Sequence, residues 1–256
     1  MPVGALAIAL GGLLGLVIGS FASTLILRWP RGEGVVAGRS RCDGCGRELR
    51  PHELLPVISW ALQRGRCRTC DAGIDPLHPA TELLFALIGA GALAMSPTPA
   101  GMALALLGWQ VATAAIMDAR HQWLPHVLSG LLVASGLALG GFAMSALGID
   151  ASINARLIGA AAGFGGLWLI GTLYRASRGR QGLGGGDPPF LAGLGAWIGW
   201  QGLPFLLLLA SLCGMAVALF LIATRRTGAG AIATMRLPLG TLLGLALPFA
   251  LAVMAR

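Results

Sequence analysis

Gly182-Leu183-Gly184-Gly185-Gly186-Asp187-Pro188-Pro189 runs straight on into Phe190-Leu191-Ala192-Gly193-Leu194-Gly195-Ala196-Trp197-Ile198-Gly199-Trp200. A single carboxylate, Asp187, stands between a glycine run and an apolar segment, and no acidic residue follows it to the C-terminus. Glycines let a backbone approach another backbone or a ligand closely, and prolines suit the first turn of a helix. The stretch reads as an acid at the start of a membrane helix, reached through a glycine loop. An ionisable group at the edge of hydrocarbon is costly to hold there, which makes function the default reading. As a plain N-cap it would serve only its own helix.

Working outward, the rest of the chain is just as apolar. Of its 256 residues 56% are hydrophobic and 11% charged, where a soluble domain carries roughly 25% charged residues. Long apolar runs lie at about 3–27, 82–97, 100–117, 124–145, 157–174, 189–203, 204–224 and 237–255. Runs of this kind define an all-α polytopic membrane protein of about eight transmembrane helices. The only sizeable polar stretch is 28–80. The chain therefore divides into a first transmembrane helix (1–27), an Arg-rich loop (28–80) and a seven-helix membrane core (81–256). The run 189–203 is short for a perpendicular span of roughly 20 residues, so its polar start is expected to sit in a cavity.

Charge sets the expected topology. All 18 basic residues are arginine; nine lie in 28–80, one in 118–123, three in 175–187 and three in 225–236. Those alternate loops hold all but Arg156 and Arg256, the asymmetry of the positive-inside rule. The N-terminus is thus expected outside and the Arg-rich loop in the cytosol, with no signal peptide, since no basic residue precedes the first helix. A net charge of +8 could suggest nucleic acid, but these arginines follow the loops and are not interleaved with exposed aromatics, so no nucleic-acid partner is expected. The seven tryptophans lie mostly near run ends, where they would anchor at the interface.

Two groups of residues carry chemistry. Cys42-Asp43-Gly44-Cys45 and Cys67-Arg68-Thr69-Cys70 are CxxC pairs with 21 residues between them. Such knuckles supply four thiolates to one tetrahedral zinc and fold a loop too small for a core of its own. Two disulfides are the alternative, but they require an oxidising compartment. The second group is Ile116-Met117-Asp118-Ala119-Arg120-His121-Gln122-Trp123-Leu124-Pro125. Four acids lie beyond the large loop: Glu82, Asp118, Asp150 and Asp187. Asp150 falls on the outer side and Glu82 reads as a residue opening the second helix. Asp118 and Asp187 end up at the same side on different helices. Two carboxyls sharing a site hold one proton between them; one activates water and the other protonates a leaving amine, as in an aspartyl peptidase. His121 and His126 read as surface or packing residues.

The chain resembles the type IV prepilin leader peptidase and N-methyltransferase family nearly end to end. The resemblance rests on Gly19-Ser20-Phe21 through Arg28-Trp29-Pro30, both CxxC pairs, Leu55-Pro56 to Trp60, Arg64-Gly65-Arg66 and Pro79-Ala80-Thr81-Glu82-Leu83. It continues through Asp118 with Leu124-Pro125, Gly184-Gly185-Gly186-Asp187, the glycine-rich segment to Trp200, and Pro238-Leu239-Gly240. It implies a bacterial inner-membrane enzyme with Asp118 and Asp187 as catalytic residues. Such an enzyme cleaves the leaders of prepilins and pseudopilins at the cytosolic face, then methylates the new N-terminus from S-adenosylmethionine. Four departures from the family pattern are Ser23 for Asn, Leu77-His78-Pro79 for Arg-Tyr-Pro, His126 for Asp and Pro189 for Lys. No strand precedes the glycine run, so a nucleotide loop there finds no support, and the sequence shows no place for the methyl donor. A non-catalytic zinc-loop scaffold of a pilus or secretion assembly, and a proton-coupled transporter, are the rival classes.

Overall fold

The computed structural model describes residues 3–35, 38–180, 182–224 and 237–255. The loop 225–236, expected to carry three arginines on the inner side, lies outside the described residues. The helices are α1 (Val3–Arg28), α2 (Ile58–Leu62), α3 (Leu77–Met95), α4 (Pro99–His121), α5 (His126–Ser145), α6 (Ile153–Arg178), α7 (Asp187–Ala223) and α8 (Leu239–Met254). The described residues form no strand, only two isolated bridges at Arg41–Glu48 and Arg66–Gly73. Six helices have the length and composition of a membrane span: α1, α3, α4, α5, α6 and α7. The exact count of eight is not reached among the described residues by this measure. The 16-residue α8 is shorter than a span, and the two runs 189–203 and 204–224 form one assigned helix.

That helix is nonetheless broken. Gly199 sits at φ 73°, ψ 173° inside α7, a region essentially closed to residues with a side chain. The break lies ahead of the boundary expected between the runs 189–203 and 204–224, because only a glycine admits this backbone geometry. It splits α7 into segments 187–198 and 200–223.

The chain forms two compact units, Met1–Trp109 and Gln110–Arg256. In the first, α1 lies against α3 along Gly11, Gly15 and Gly19. A Cβ on Gly11 would stand 2.6 Å from Gly89 O, and one on Gly19 would stand 2.8 Å from Glu82 Cα. Helices in lipid gain from such close backbone approach, since dispersion and short contacts replace the hydrophobic drive. Trp109 is buried and its Nε1–H donates to Phe85 O at 2.9 Å.

In the second unit α6 and α7 meet through Gly159, Gly163 and Gly195. A Cβ on Gly163 would come within 2.7 Å of Leu191 O. On its other side α7 packs on α5, where Trp197 is fully buried and donates from Nε1 to Leu132 O at 3.1 Å. Trp109 and Trp197 therefore serve as core residues and not interfacial anchors, each ring N–H spent on a helix carbonyl. Arg156 is buried at the start of α6, where its guanidinium donates to the carbonyls of Ala151, Gly136 and Leu137. Asp150 stays exposed.

Candidate active site and thiolate centre

Asp118 lies three residues before the end of α4 and is 6% exposed. The helix α8 begins after Pro238, which brings no side-chain cap of its own. Asp118 supplies one from a distance: its Oδ2 accepts the backbone N–H of Thr241 at 3.0 Å, and the N–H of Gly240 bonds to the same carboxylate. A carboxylate at a helix N-terminus satisfies orphan N–H groups and meets the positive end of the dipole. Thr241 Oγ1 donates to Ala115 O at 2.9 Å and lies 3.5 Å from Asp118 Oδ2. Gly240 rests on the carboxylate, since a Cβ there would stand 3.0 Å from Asp118 Oδ2.

Asp187 opens α7 and is 8% exposed. The glycine loop folds back on it: Gly184 N–H donates to Asp187 Oδ2 at 2.9 Å, and Asp187 N–H donates to Gly184 O at 3.2 Å. The loop can come so close because these positions lack side chains; a Cβ on Gly184 would stand 2.9 Å from Asp187 Oδ2.

Leu124 ties the two acids together. A Cβ on Gly186 would stand 2.6 Å from both Leu124 Cβ and Leu124 O, while one on Gly240 would lie 2.8 Å from Leu124 Cδ1. Asp118, Gly240–Thr241 and Gly186–Asp187 therefore converge around one leucine, and the two carboxylates stand close enough to act on each other's charge. A cavity of about 330 Å³ opens beside the glycine loop, walled by Leu167, Trp168, Gly184, Gly185, Pro188 and Pro189. His121 and His126 are exposed, in keeping with a surface role. Thr241 was not among the expected residues. Its one signal was its place beside Pro238-Leu239-Gly240, and no pattern in one chain says that a helix start caps onto a distant aspartate.

In the first unit the two CxxC pairs form matching knuckles. Cys42 N–H donates to Arg47 O and Cys67 N–H to Ala72 O, while Gly46 and Asp71 N–H return to Cys42 O and Cys67 O. Gly46 and Asp71, each the fourth residue after its first cysteine, both take positive φ. The four Sγ atoms lie within 4.8 Å of one another, and Cys42 and Cys70 sulfurs are 3.8 Å apart. Tetrahedral zinc at about 2.3 Å from each sulfur demands S···S separations of about 3.8 Å. All four cysteines are free thiols, not disulfides. The thiol of Cys67 is held down to about 6, first by the N–H groups of Thr69 and Cys70, which favours the ligating thiolate. The fold of this loop also leans on Glu53, buried and held bidentately by Arg47 at 2.6 and 2.8 Å with a third bond from Arg50 N–H at 2.9 Å.

Two departures from the family pattern turn out to be partners: Ser23 Oγ and His78 Nδ1 lie 2.7 Å apart. Glu82 does not open a helix as expected. It is the sixth residue of α3, 4% exposed, and its Oε2 accepts Val57 N–H at 2.6 Å.

A buried carboxyl pair thus sits at helix ends in one unit, and a four-thiolate loop in the other. The chain belongs to the type IV leader peptidase family. Residues 104–219 match the Type IV leader peptidase family and residues 13–95 the Bacterial Peptidase A24 N-terminal domain. It is 37% identical over 246 residues to the prepilin leader peptidase/N-methyltransferase of Burkholderia pseudomallei (strain K96243), covering 86% of this chain and 77% of that protein. The protein of the same description from Pseudomonas aeruginosa is 34% identical over 242 residues, covering 85% and 82%. A type 4 prepilin-like proteins leader peptide-processing enzyme of Escherichia coli O78:H11 is 32% identical over 252 residues, covering 90% and 88%. No solved structure matches the chain.

Proposed function

We propose that this chain is an inner-membrane aspartyl endopeptidase that removes the leader of type IV prepilins and pseudopilins, then N-methylates the new N-terminus with S-adenosylmethionine as donor. Asp118 and Asp187 are its dyad. The observation that carries this reading is the convergence of both buried aspartates on Leu124.

The two acids are held differently, which assigns them different tasks. Asp118 accepts two backbone N–H groups at the start of α8, with the Thr241 hydroxyl nearby, so its charge is the better compensated. It takes the proton from the attacking water. Asp187 accepts one N–H, from Gly184, and keeps an oxygen free to carry the shared proton to the leaving amine. The glycine loop offers backbone close to the scissile bond, and the cavity beside it takes the apolar flank of a membrane-inserted substrate. Cys42, Cys45, Cys67 and Cys70 hold a structural zinc that ties the two knuckles into one loop. The arginine distribution supports a cytosolic loop and a periplasmic N-terminus.

The test is leader cleavage in membranes containing the protein and a prepilin, read as the mass of the product N-terminus. Asp118→Asn, Asp187→Asn and the double variant should each abolish cleavage to a similar extent, because the pair acts as a unit. Near-normal turnover by either single variant overturns the dyad. Intact capture of prepilin without cleavage by the native chain would favour the scaffold class instead.

A further inference from the structure

The first unit contains a cavity of about 150 Å³ that the peptidase chemistry does not use, lying beneath the cysteine loop and lined by Ser20, Ser59, Trp60, Asp75, His78 and Glu82 among others. Its charges are unevenly spent. Of the arginines at its rim, Arg28 donates to Asp43 at 2.8 Å and to Arg41 O at 2.7 Å. Arg47 is bound by Glu53. Glu82 is different: no ion pair among the described residues includes it. A buried carboxylate without a cation is expensive to keep unless something brings the cation.

The surroundings hold this carboxylate in place. Val57 N–H reaches Glu82 Oε2 from a tight turn in which Ile58 N–H bonds Pro56 O at 2.6 Å. The central Val57 stands at φ 60°, ψ −50°. A β-branched residue there is a genuine outlier, and such strain persists only where the surroundings over-determine it. Ser20 lines the cavity beside the same carboxylate. The Trp60 ring also lines the cavity, pinned by its Nε1–H donating to Ile74 O at 3.3 Å. An aromatic face of this kind attracts cations. The walls thus suit two positively charged groups together: a primary ammonium at Glu82 and a sulfonium at the indole.

We propose that this cavity is the methyl-transfer chamber and that Glu82 receives the α-amino group of the cleaved substrate. The inference rests on the reading of the chain as peptidase and N-methyltransferase, and deepens it by giving the second activity its site. Glu82 accepts a proton from the ammonium and leaves the amine nitrogen with its lone pair. That nitrogen attacks the methyl carbon of S-adenosylmethionine. The N–C bond forms as the C–S bond breaks, and the released electron pair stays on sulfur as a neutral thioether. The proton lost from the amine passes from Glu82 to water at the open rim. His78 lines the cavity together with Glu82 on α3 and is held from behind by Ser23 Oγ at 2.7 Å, so the departures from the family pattern at those two positions shape the acceptor pocket.

The test uses the full chain in membranes with its metal in place. Glu82→Gln keeps an oxygen for Val57 N–H but removes the charge. Prepilin cleavage should stay within about threefold of native, while N-methylation of the product falls roughly 100-fold, the scale of a general base. A binding arm needs no turnover: the apolar peptide Leu-Leu-Ile-amide and its N-acetylated form are compared by equilibrium dialysis. The native chain should hold the free amine about tenfold more tightly than the acetylated peptide, and Glu82→Gln should lose that preference. Should Glu82→Gln fail to accumulate, Glu82→Asp replaces it, and there methylation should fall at least tenfold with cleavage within threefold. Methylation at the native rate in the variant, equal losses of cleavage and methylation, or no amine preference in the native chain each overturn the proposal. A native chain that prefers the free amine but leaves prepilin uncut would sink the peptidase reading and not this site.

Discussion

Replacing Gly240 by Ala tests the second-unit site through one atom. A Cβ at that position falls 2.8 Å from Leu124 Cδ1, 3.0 Å from Asp118 Oδ2 and 3.3 Å from Asp118 Cγ. The leucine methyl can swing aside by rotation. The carboxylate cannot retreat without drawing away from Thr241 N–H, which it accepts at 3.0 Å. Restoring an ordinary separation of about 3.5 Å moves the oxygen by roughly 0.5 Å, which carries the hydrogen bond past its usual limit of about 3.2 Å. A bond to a charged group is worth about 1.5–3 kcal/mol, and at about 1.4 kcal/mol per decade of rate the loss is roughly 10- to 150-fold. Alanine is also the better helix former, by up to about 1 kcal/mol, so lost folding should not mimic this effect. Gly130→Ala on α5 is the matched control, since a Cβ there meets nothing within 4 Å. The assay is leader cleavage in membranes at matched protein levels. Cleavage by Gly240→Ala within twofold of the native rate, or an equal fall in Gly130→Ala, would refute the claim that Asp118 is oriented by the start of α8.

Metal analysis of the purified chain should find one zinc per molecule, lost when any of Cys42, Cys45, Cys67 or Cys70 becomes Ser, with methylation failing before cleavage because the dyad lies in the other unit. Glu53 is held down to about 2, first by the Arg47 guanidinium and then by Arg50 N–H. A depressed carboxyl stabilises the loop above its unfolded value of about 4.3, and that contribution is lost as pH falls through about 2. Glu53→Gln should accordingly cost roughly 1.5–3 kcal/mol at pH 7, seen as faster proteolytic nicking within 40–75; unchanged nicking refutes it. Gly199→Ala forces a side chain into a glycine-only conformation and should cost about 1–3 kcal/mol. The folded yield in membranes should drop against Gly130→Ala, and equal yields would mean that the break in α7 is dispensable.

Much of the architecture was legible because the hydrocarbon imposes length and apolarity on every span. The runs at 3–27 and 124–145 became α1 and α5 with ends shifted by only a few residues. The cysteine knuckles were legible too, since CxxC spacing is set by the reach of two thiolates to one ion. The division of α7 was misplaced, because Gln201 to Pro204 looks like a turn while the true break needs only one glycine.

Local spacing alone determined that Asp187 opens a helix behind a glycine loop and that four thiolates could share one ion. It also showed, through composition, that the remaining chain must live in a bilayer. Which residues face those acids was decided only by tertiary packing. Thr241 is 123 residues from Asp118 along the chain, and Val57 is 25 residues from Glu82. Sequence patterns report periodicity over a few turns of helix, whereas a hydrogen bond depends on where separate helices come to rest. That is settled by glycine contacts such as Gly19 on Glu82 and Gly240 on Asp118. Glu82 had the look of an ordinary helix-end carboxylate until the fold buried it against a strained turn, with no ion pair to it among the described residues.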